Sequence, residues 1–201
     1  MRRTKSVWVL GVAALLFTLI ATPAAAGART RSDGVDGTTS TENTRASYAN
    51  FEGRTIDLAG QWGEAQACLV WRQGGVSECF RTTAELDARE KELAPQRETA
   101  ARDGSASKSY GSSCSSSLRL YEHNWYSGRR LSFWDRGYWQ NLSWYGFEDQ
   151  VSSYIVGGCQ VYLAEHANGE GWWYPGPTFP YSGSPAMYWG WQDTISSIYI
   201  G

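Results

Sequence analysis

Short runs of aromatic and β-branched residues, separated by Gly, Pro, Asn and Ser, fill the C-terminal part of the chain, 114–201. Such runs are typical of β-strands, and no stretch with helical periodicity interrupts them. The pattern therefore predicts an all-β sandwich or barrel. The predicted strands are 118–121, 130–133, 152–156, 160–163 and 197–200.

A mixed pattern precedes this region. Two apolar runs within 67–80 flank a glycine turn and predict a hairpin. Over 82–93, a threonine that can cap a helix, early acids and late bases predict a helix. We therefore predict a small α+β module over 48–94 that depends on a disulfide because it is too small for a large core. The polar, small residues of 95–113 predict a linker.

The N-terminal pattern is that of an exported protein. A basic start, an apolar run and Ala24-Ala-Ala26 predict a secretory signal peptide over 1–26. Small polar residues predict a flexible stalk over 27–47. The apolar run is short for a membrane span, and no later stretch could span a bilayer. We expect a secreted, extracellular protein without a membrane span.

The net charge of the chain argues against nucleic-acid binding. The net charge of −2 becomes −5 once the three basic residues of the predicted signal peptide are removed. Contacts to phosphates need clustered Lys and Arg, so a mildly acidic chain is a poor nucleic-acid binder. A negative charge is compatible with binding a cation.

Four cysteines in an exported chain predict two disulfides. Sequence alone leaves three connectivities open. Proximity favours Cys68–Cys79, across the predicted hairpin, and Cys114–Cys159. A zinc site is disfavoured because no pair of cysteines has the C-x-x-C spacing.

Two stretches of the C-terminal region are copies of one another. Leu120-Tyr-Glu-His123 recurs as Leu163-Ala-Glu-His166, and Glu148-Asp-Gln-Val-Ser-Ser153 recurs as Gln192-Asp-Thr-Ile-Ser-Ser197. Similarity at a fixed spacing indicates one supersecondary unit that is used twice, with a shared core. Each copy carries the same loop of an acid followed by two serines.

These blocks carry a resemblance to a known family. Tyr121, Tyr126 and Gly128, followed by the block 148–153, resemble the Greek-key motif of the βγ-crystallins. The second copy matches less closely because Ala164 replaces the leading aromatic residue. The resemblance implies two Greek-key motifs in one domain, a sandwich of two four-stranded sheets. The layout, with a cystine module in front, also resembles secreted actinobacterial proteins related to the metalloproteinase-inhibitor branch of this superfamily.

The resemblance also implies calcium binding by the acid–serine loops. Ca²⁺ takes six to eight oxygen ligands from carboxylates, carbonyls, hydroxyls and water. The family pattern crosses the motifs, so one site would pair Asp149 with Ser196 and the other Asp193 with Ser152. The predicted metal ligands are Glu148, Asp149, Gln150, Ser152, Gln192, Asp193, Thr194 and Ser196, with main-chain carbonyls near Glu122 and Glu165.

The leading residue of each loop departs from the family pattern of Asn or Asp. Glu148 still offers a carboxylate, whereas Gln192 offers only a neutral carbonyl, so we expect the site led by Gln192 to be the weaker. The alternative interpretation is that these loops only turn the chain, with serines bonded to the main chain.

The sequence also bears on three other functions. Both histidines, His123 and His166, lie in the repeated block and are motif positions, so we predict a non-enzymatic protein, although a pair of carboxylates for glycoside hydrolysis stays open. Trp172 and Trp173, in a Gly/Pro-rich loop, favour binding of a glycan, while most other tryptophans are expected in the core. The segment 170–188 is the candidate loop for inhibiting an extracellular protease.

Overall fold

Two β-sheets and one α-helix make up the described part of this computed structural model, residues 47–102 and 116–201. The predicted signal peptide, and all but the last residue of the predicted stalk, lie outside these ranges. The elements are β1 (Tyr48–Phe51), β2 (Arg54–Asp57), β3 (Ala67–Trp71), β4 (Val76–Phe80), α1 (Thr83–Arg102), β5 (Leu118–His123), β6 (Ser127–Phe133), β7 (Trp139–Asn141), β8 (Ser153–Ile155), β9 (Val161–Ala164), β10 (Gly183–Ser184) and β11 (Ser197–Ile200).

The C-terminal strands form two motifs that exchange their third strands. β7 leaves β5, β6 and β8 and joins the sheet β7-β11-β9, whereas β10 crosses to pair with β8 in the order β10-β8-β5-β6. This return of a strand across the structure is Greek-key connectivity. Side chains on β11 point alternately to the two faces of its sheet. Ile198 and Ile200 face the core between the two sheets, while Tyr199 lies on the opposite side. The predicted β-sandwich of two Greek-key motifs is confirmed.

The strand count of each sheet corrects the prediction of two four-stranded sheets. The first sheet has eight strands, because β3, β4, β1 and β2 continue it beyond β6. The second sheet has three strands, and a single bridge between Ala164 and Trp173 stands where a fourth would pair. The first correction has a physical reason: β3 pairs in parallel with β6 and satisfies a strand edge that would otherwise be open.

The N-terminal hairpin and helix match their predictions, with one extension. Cys68 and Cys79 are direct partners across the hairpin and form the predicted disulfide. Thr82 caps α1 in a reciprocal pair with Glu85, at 2.9 and 3.2 Å. The helix continues through Pro95 to Arg102, into the predicted linker. In the extended part, the Arg97 guanidinium lies 4.6 Å from the Trp134 ring.

The second predicted disulfide is only partly covered by the structure. Cys159 is disulfide-bonded, whereas Cys114 lies outside the described residues, so the pairing of Cys114 stays a prediction. Within the two described ranges, none of the helices has the length and apolar character of a membrane span.

Candidate functional site

The two acid–serine loops have the same backbone geometry. Asp149 and Asp193 both adopt the left-handed conformation, with φ of 52° and 54°, which Asp tolerates better than most residues. The loops are bonded to each other crosswise, since the Asp149 N–H donates to the Ile195 carbonyl and the Asp193 N–H to the Val151 carbonyl, each at 3.1 Å. The repeat in the sequence is therefore a repeat in space.

Each aspartate meets the serine of the other motif. Ser152 Oγ donates to Asp193 Oδ1 at 2.8 Å, and Ser196 Oγ donates to Asp149 Oδ1 at 3.2 Å. Both serines are buried, whereas both aspartates are exposed at the surface. These are the crossed pairs that the resemblance implied. Their role as metal ligands stays a prediction.

Main-chain bonds place a glutamate beside each pair. The Ser152 N–H donates to the Tyr121 carbonyl at 3.0 Å, which sets Glu122 next to Ser152. In the same way, the Ser196 N–H donates to the Ala164 carbonyl at 3.0 Å and sets Glu165 next to Ser196. We name the two groups the Asp149 site (Asp149, Ser196, Glu165) and the Asp193 site (Asp193, Ser152, Glu122).

The remaining predicted ligands lie around these groups. Glu148 and Gln192 are exposed, and Gln150 and Thr194 are half-buried. The Thr194 hydroxyl donates to the Gln192 carbonyl at 3.0 Å. Across residues 47–102 and 116–201, no three His, Cys, Asp or Glu side chains gather in a metal cluster. A cation here would depend on main-chain and hydroxyl oxygens as much as on carboxylates.

The last serine of each motif has a different role. Ser153 Oγ donates to the His123 carbonyl, and Ser197 Oγ donates to the His166 carbonyl, both at 2.6 Å. The same hydroxyls accept the main-chain N–H of Tyr126 at 3.1 Å and of Gly169 at 3.0 Å. These serines hold the folded tip of each hairpin. The interpretation of serines bonded to the main chain is therefore correct for this pair.

The first motif contains a cation of its own. Arg129 bonds the Glu122 carboxylate through its main-chain N–H at 3.1 Å and through its guanidinium at 3.0 and 3.2 Å. It also donates to the Gln150 side chain and lies 5.0 Å from the Trp62 ring. The repeat places Trp172 at the position of Arg129, and only its main-chain N–H reaches Glu165, at 3.1 Å. The two halves therefore share a backbone plan but not this charge.

Burial and hydrogen bonding act in opposite directions on Glu122. Burial alone would raise the pKa of Glu122, but the hydrogen bonds from Arg129 outweigh it and hold the pKa below its ordinary value of 4.5. Glu122 is therefore an ionised partner of Arg129 at neutral pH.

The structure also locates the residues of the alternative functions. Trp172 and Trp173 are 78% and 52% exposed, as expected, and Trp125 and Trp189 are exposed as well. The segment 170–188 contains β10 and is tied to the sandwich, for example by the Met187 N–H, which donates to the Ser152 carbonyl at 2.8 Å. Protease inhibition stays a prediction.

Comparisons with known proteins find similarity at the level of structure. No family model and no curated protein matches the sequence. A domain from Ciona intestinalis is 22% identical and covers 42% of this chain and 99% of its own, with a TM-score of 0.35. A domain from Clostridium beijerinckii is 25% identical and covers 42% of this chain and 95% of its own, with a TM-score of 0.34.

The chain is similar to βγ-crystallin domains. A double mutant of clostrillin is a further similar structure; it is 22% identical, covers 42% of this chain and 95% of its own, and has a TM-score of 0.35. That protein was crystallised in complex with nickel. We refer below to the described residues 116–201 as the βγ-crystallin-like domain.

Proposed function

We propose that the protein is a secreted, non-enzymatic βγ-crystallin-like protein that binds Ca²⁺ at two unequal sites and is stabilised by it. The crossed pairs carry this proposal. A carboxylate and a hydroxyl from different loops lie within hydrogen-bonding distance of each other, at 2.8 Å in one site and 3.2 Å in the other. Because each pair joins two motifs, a cation held by both oxygens would stabilise the packing of one motif on the other.

The donor set fits calcium. Asp149, Asp193, Ser152 and Ser196 supply only oxygens, which hard cations prefer, and the described residues offer no His or Cys cluster that would favour zinc or copper. Main-chain carbonyls of Gln150 and Thr194, and of Glu122 and Glu165, would add ligands, with water completing the shell. The calcium, when bound, supplies charge neutralisation and a cross-link between the loops.

Two features make the Asp193 site the weaker. It is led by Gln192, which has no charge, whereas the Asp149 site is led by Glu148. It also contains Glu122, whose carboxylate is already bonded to Arg129. A fixed positive charge beside a candidate site opposes a second cation. We therefore expect the Asp149 site to bind calcium first.

A thermal-shift experiment on the full chain tests the proposal. Calcium at millimolar concentration should raise the melting temperature relative to EDTA, and the double variant Asp149→Ala/Asp193→Ala should lose most of that rise. Glu170→Gln is a matched control, because it removes one exposed acid of the second motif outside both sites. Absence of any calcium-dependent shift in the unmodified chain would overturn the proposal.

A further inference from the structure

The outer side of the three-stranded sheet carries four aromatic rings. Tyr199 on β11 lies directly opposite both Trp139 on β7 and Tyr162 on β9. Trp173 joins them through its bridge to Ala164 on β9. Ring centroids are 5.6 Å apart for Trp139–Tyr199, 6.1 Å for Tyr162–Tyr199, 5.3 Å for Tyr162–Trp173 and 5.8 Å for Trp139–Trp173. We name these four residues the aromatic face.

The aromatic face is held in place by one glycine. Gly169, at φ 82°, has no side chain, and a Cβ there would lie 2.2 Å from the Trp139 ring. Its carbonyl accepts the indole N–H of Trp173 at 2.8 Å, and its own N–H donates to Ser197 Oγ at 3.0 Å. The rings are therefore positioned before any ligand arrives, which lowers the entropy cost of binding.

The exposed area is too small for a protein partner. Tyr162 and Trp173 are 38% and 52% exposed, and Trp139 and Tyr199 are half-buried. At roughly 150–250 Å² for each aromatic side chain, the four leave at most about 400 Å² accessible. A stable protein interface buries about 800 Å² on each partner, so a second copy or another protein would need further surface.

The chemistry of the face fits a sugar. Its four side chains carry no charge, so it offers no attraction to an ionic ligand. Aromatic rings pack against the C–H faces of pyranose rings, while the hydroxyls of Tyr162 and Tyr199 offer hydrogen bonds at the edge. An adjoining hollow of about 410 Å³ shares Trp173 with the face and is lined by Trp172, Trp191 and the side chain of Glu165. Its size and mixed lining are those of a small-ligand site.

We propose that the aromatic face binds a neutral polysaccharide, with one sugar unit extending into the hollow beside Trp173. None of the four residues of the aromatic face belongs to the Asp149 or Asp193 site, so the face should bind in the absence of calcium. The hollow alone is shared with the Asp149 site, through Glu165.

Retention of the full chain on three polysaccharides tests the proposal. Insoluble cellulose, insoluble chitin and xylan are used as probes, all in EDTA so that the outcome is separate from calcium binding. The unmodified chain should be retained on at least one probe. Tyr162→Ala and Trp173→Ala should each weaken that retention at least tenfold, and Tyr162→Phe should retain most of it.

Controls separate a sugar site from general stickiness. Trp189→Ala removes a tryptophan that is 99% exposed and lies outside the face, and it should bind like the unmodified chain. A cooperative thermal unfolding transition well above the assay temperature would establish that each variant is folded. Lack of retention on all three probes would overturn the proposal. An equal loss of retention in Trp189→Ala would also overturn it. So would a finding that Tyr162→Ala and Trp173→Ala lose retention because they dissociate a dimer or release the chain from phosphatidylcholine vesicles.

Discussion

The two motifs of the βγ-crystallin-like domain share a backbone plan and differ in what surrounds it. In the first, Arg129 bridges Glu122 and Gln150 and lies over Trp62, in the loop between β2 and β3. In the second, Trp172 takes the position of Arg129 and is exposed. The duplicated residues therefore maintain the loops. The residues between them decide whether the surface beside a loop is covered by other side chains of the protein or accessible to a ligand.

The contact with Trp62 should show the largest difference between the motifs. Trp62 is buried, stacks on Phe147 at 5.6 Å and donates to the Tyr145 carbonyl at 2.8 Å. We expect Trp62→Ala to lower the free energy of unfolding by about 3–5 kcal/mol. Trp173→Ala, at an exposed position of the second motif, should cost about 1 kcal/mol. Urea unfolding measures both, and equal losses would show that Trp62 does not support the first motif.

The paired serines should show no difference between the motifs. Ser153→Ala and Ser197→Ala each remove a buried hydroxyl and leave a histidine carbonyl and a main-chain N–H without that partner. We expect a loss of about 1–3 kcal/mol for each, because two hydrogen bonds are lost at a partly buried position. The two losses, measured by urea unfolding, should agree within about 1 kcal/mol. A larger disagreement would mean that the two hairpin tips are not equivalent.

Substitution of Glu122 should have the smallest effect on the free energy of unfolding, and that effect should depend on pH. Its pKa is below 4.5 in the folded protein, so it stabilises the fold above that pH, and this contribution is lost as the pH falls through the folded value. We expect Glu122→Gln to cost under about 1 kcal/mol at neutral pH and to flatten the acid side of the stability profile.

Glu165→Gln is the matched variant, because Glu165 is bonded by the Trp172 N–H and has no arginine in the place of Arg129. Its cost should be smaller than that of Glu122→Gln in the same unfolding experiments at neutral and acid pH. An acid profile that Glu122→Gln leaves unchanged would contradict the assigned role of Arg129.

Much of the candidate site could be predicted from the sequence because the site repeats. The duplicated blocks aligned Asp149 with Asp193 and Ser152 with Ser196, and the resemblance implied their crossed pairing. The hairpin disulfide followed from two cysteines on opposite sides of one glycine turn. These are local patterns, in which spacing along the chain determines proximity.

Contacts between distant segments were not predictable in this way. The parallel pairing of β3 with β6 joins two pieces of chain that are about 60 residues apart, and no local pattern records it. In the part of α1 beyond Pro95, Arg97 lies over the ring of Trp134, which is 37 residues further along the chain. The alignment does place Arg129 opposite Trp172, but only the fold shows that Trp62 receives the guanidinium.

Calorimetric titration of the full chain with calcium tests the central claim most directly. We predict two binding events of different affinity, with the tighter one lost in Asp149→Asn and the weaker one lost in Asp193→Asn. Arg129→Gln should bring the two affinities closer by removing the positive charge beside the Asp193 site. No heat at millimolar calcium, or equal affinities that neither aspartate variant separates, would contradict the account.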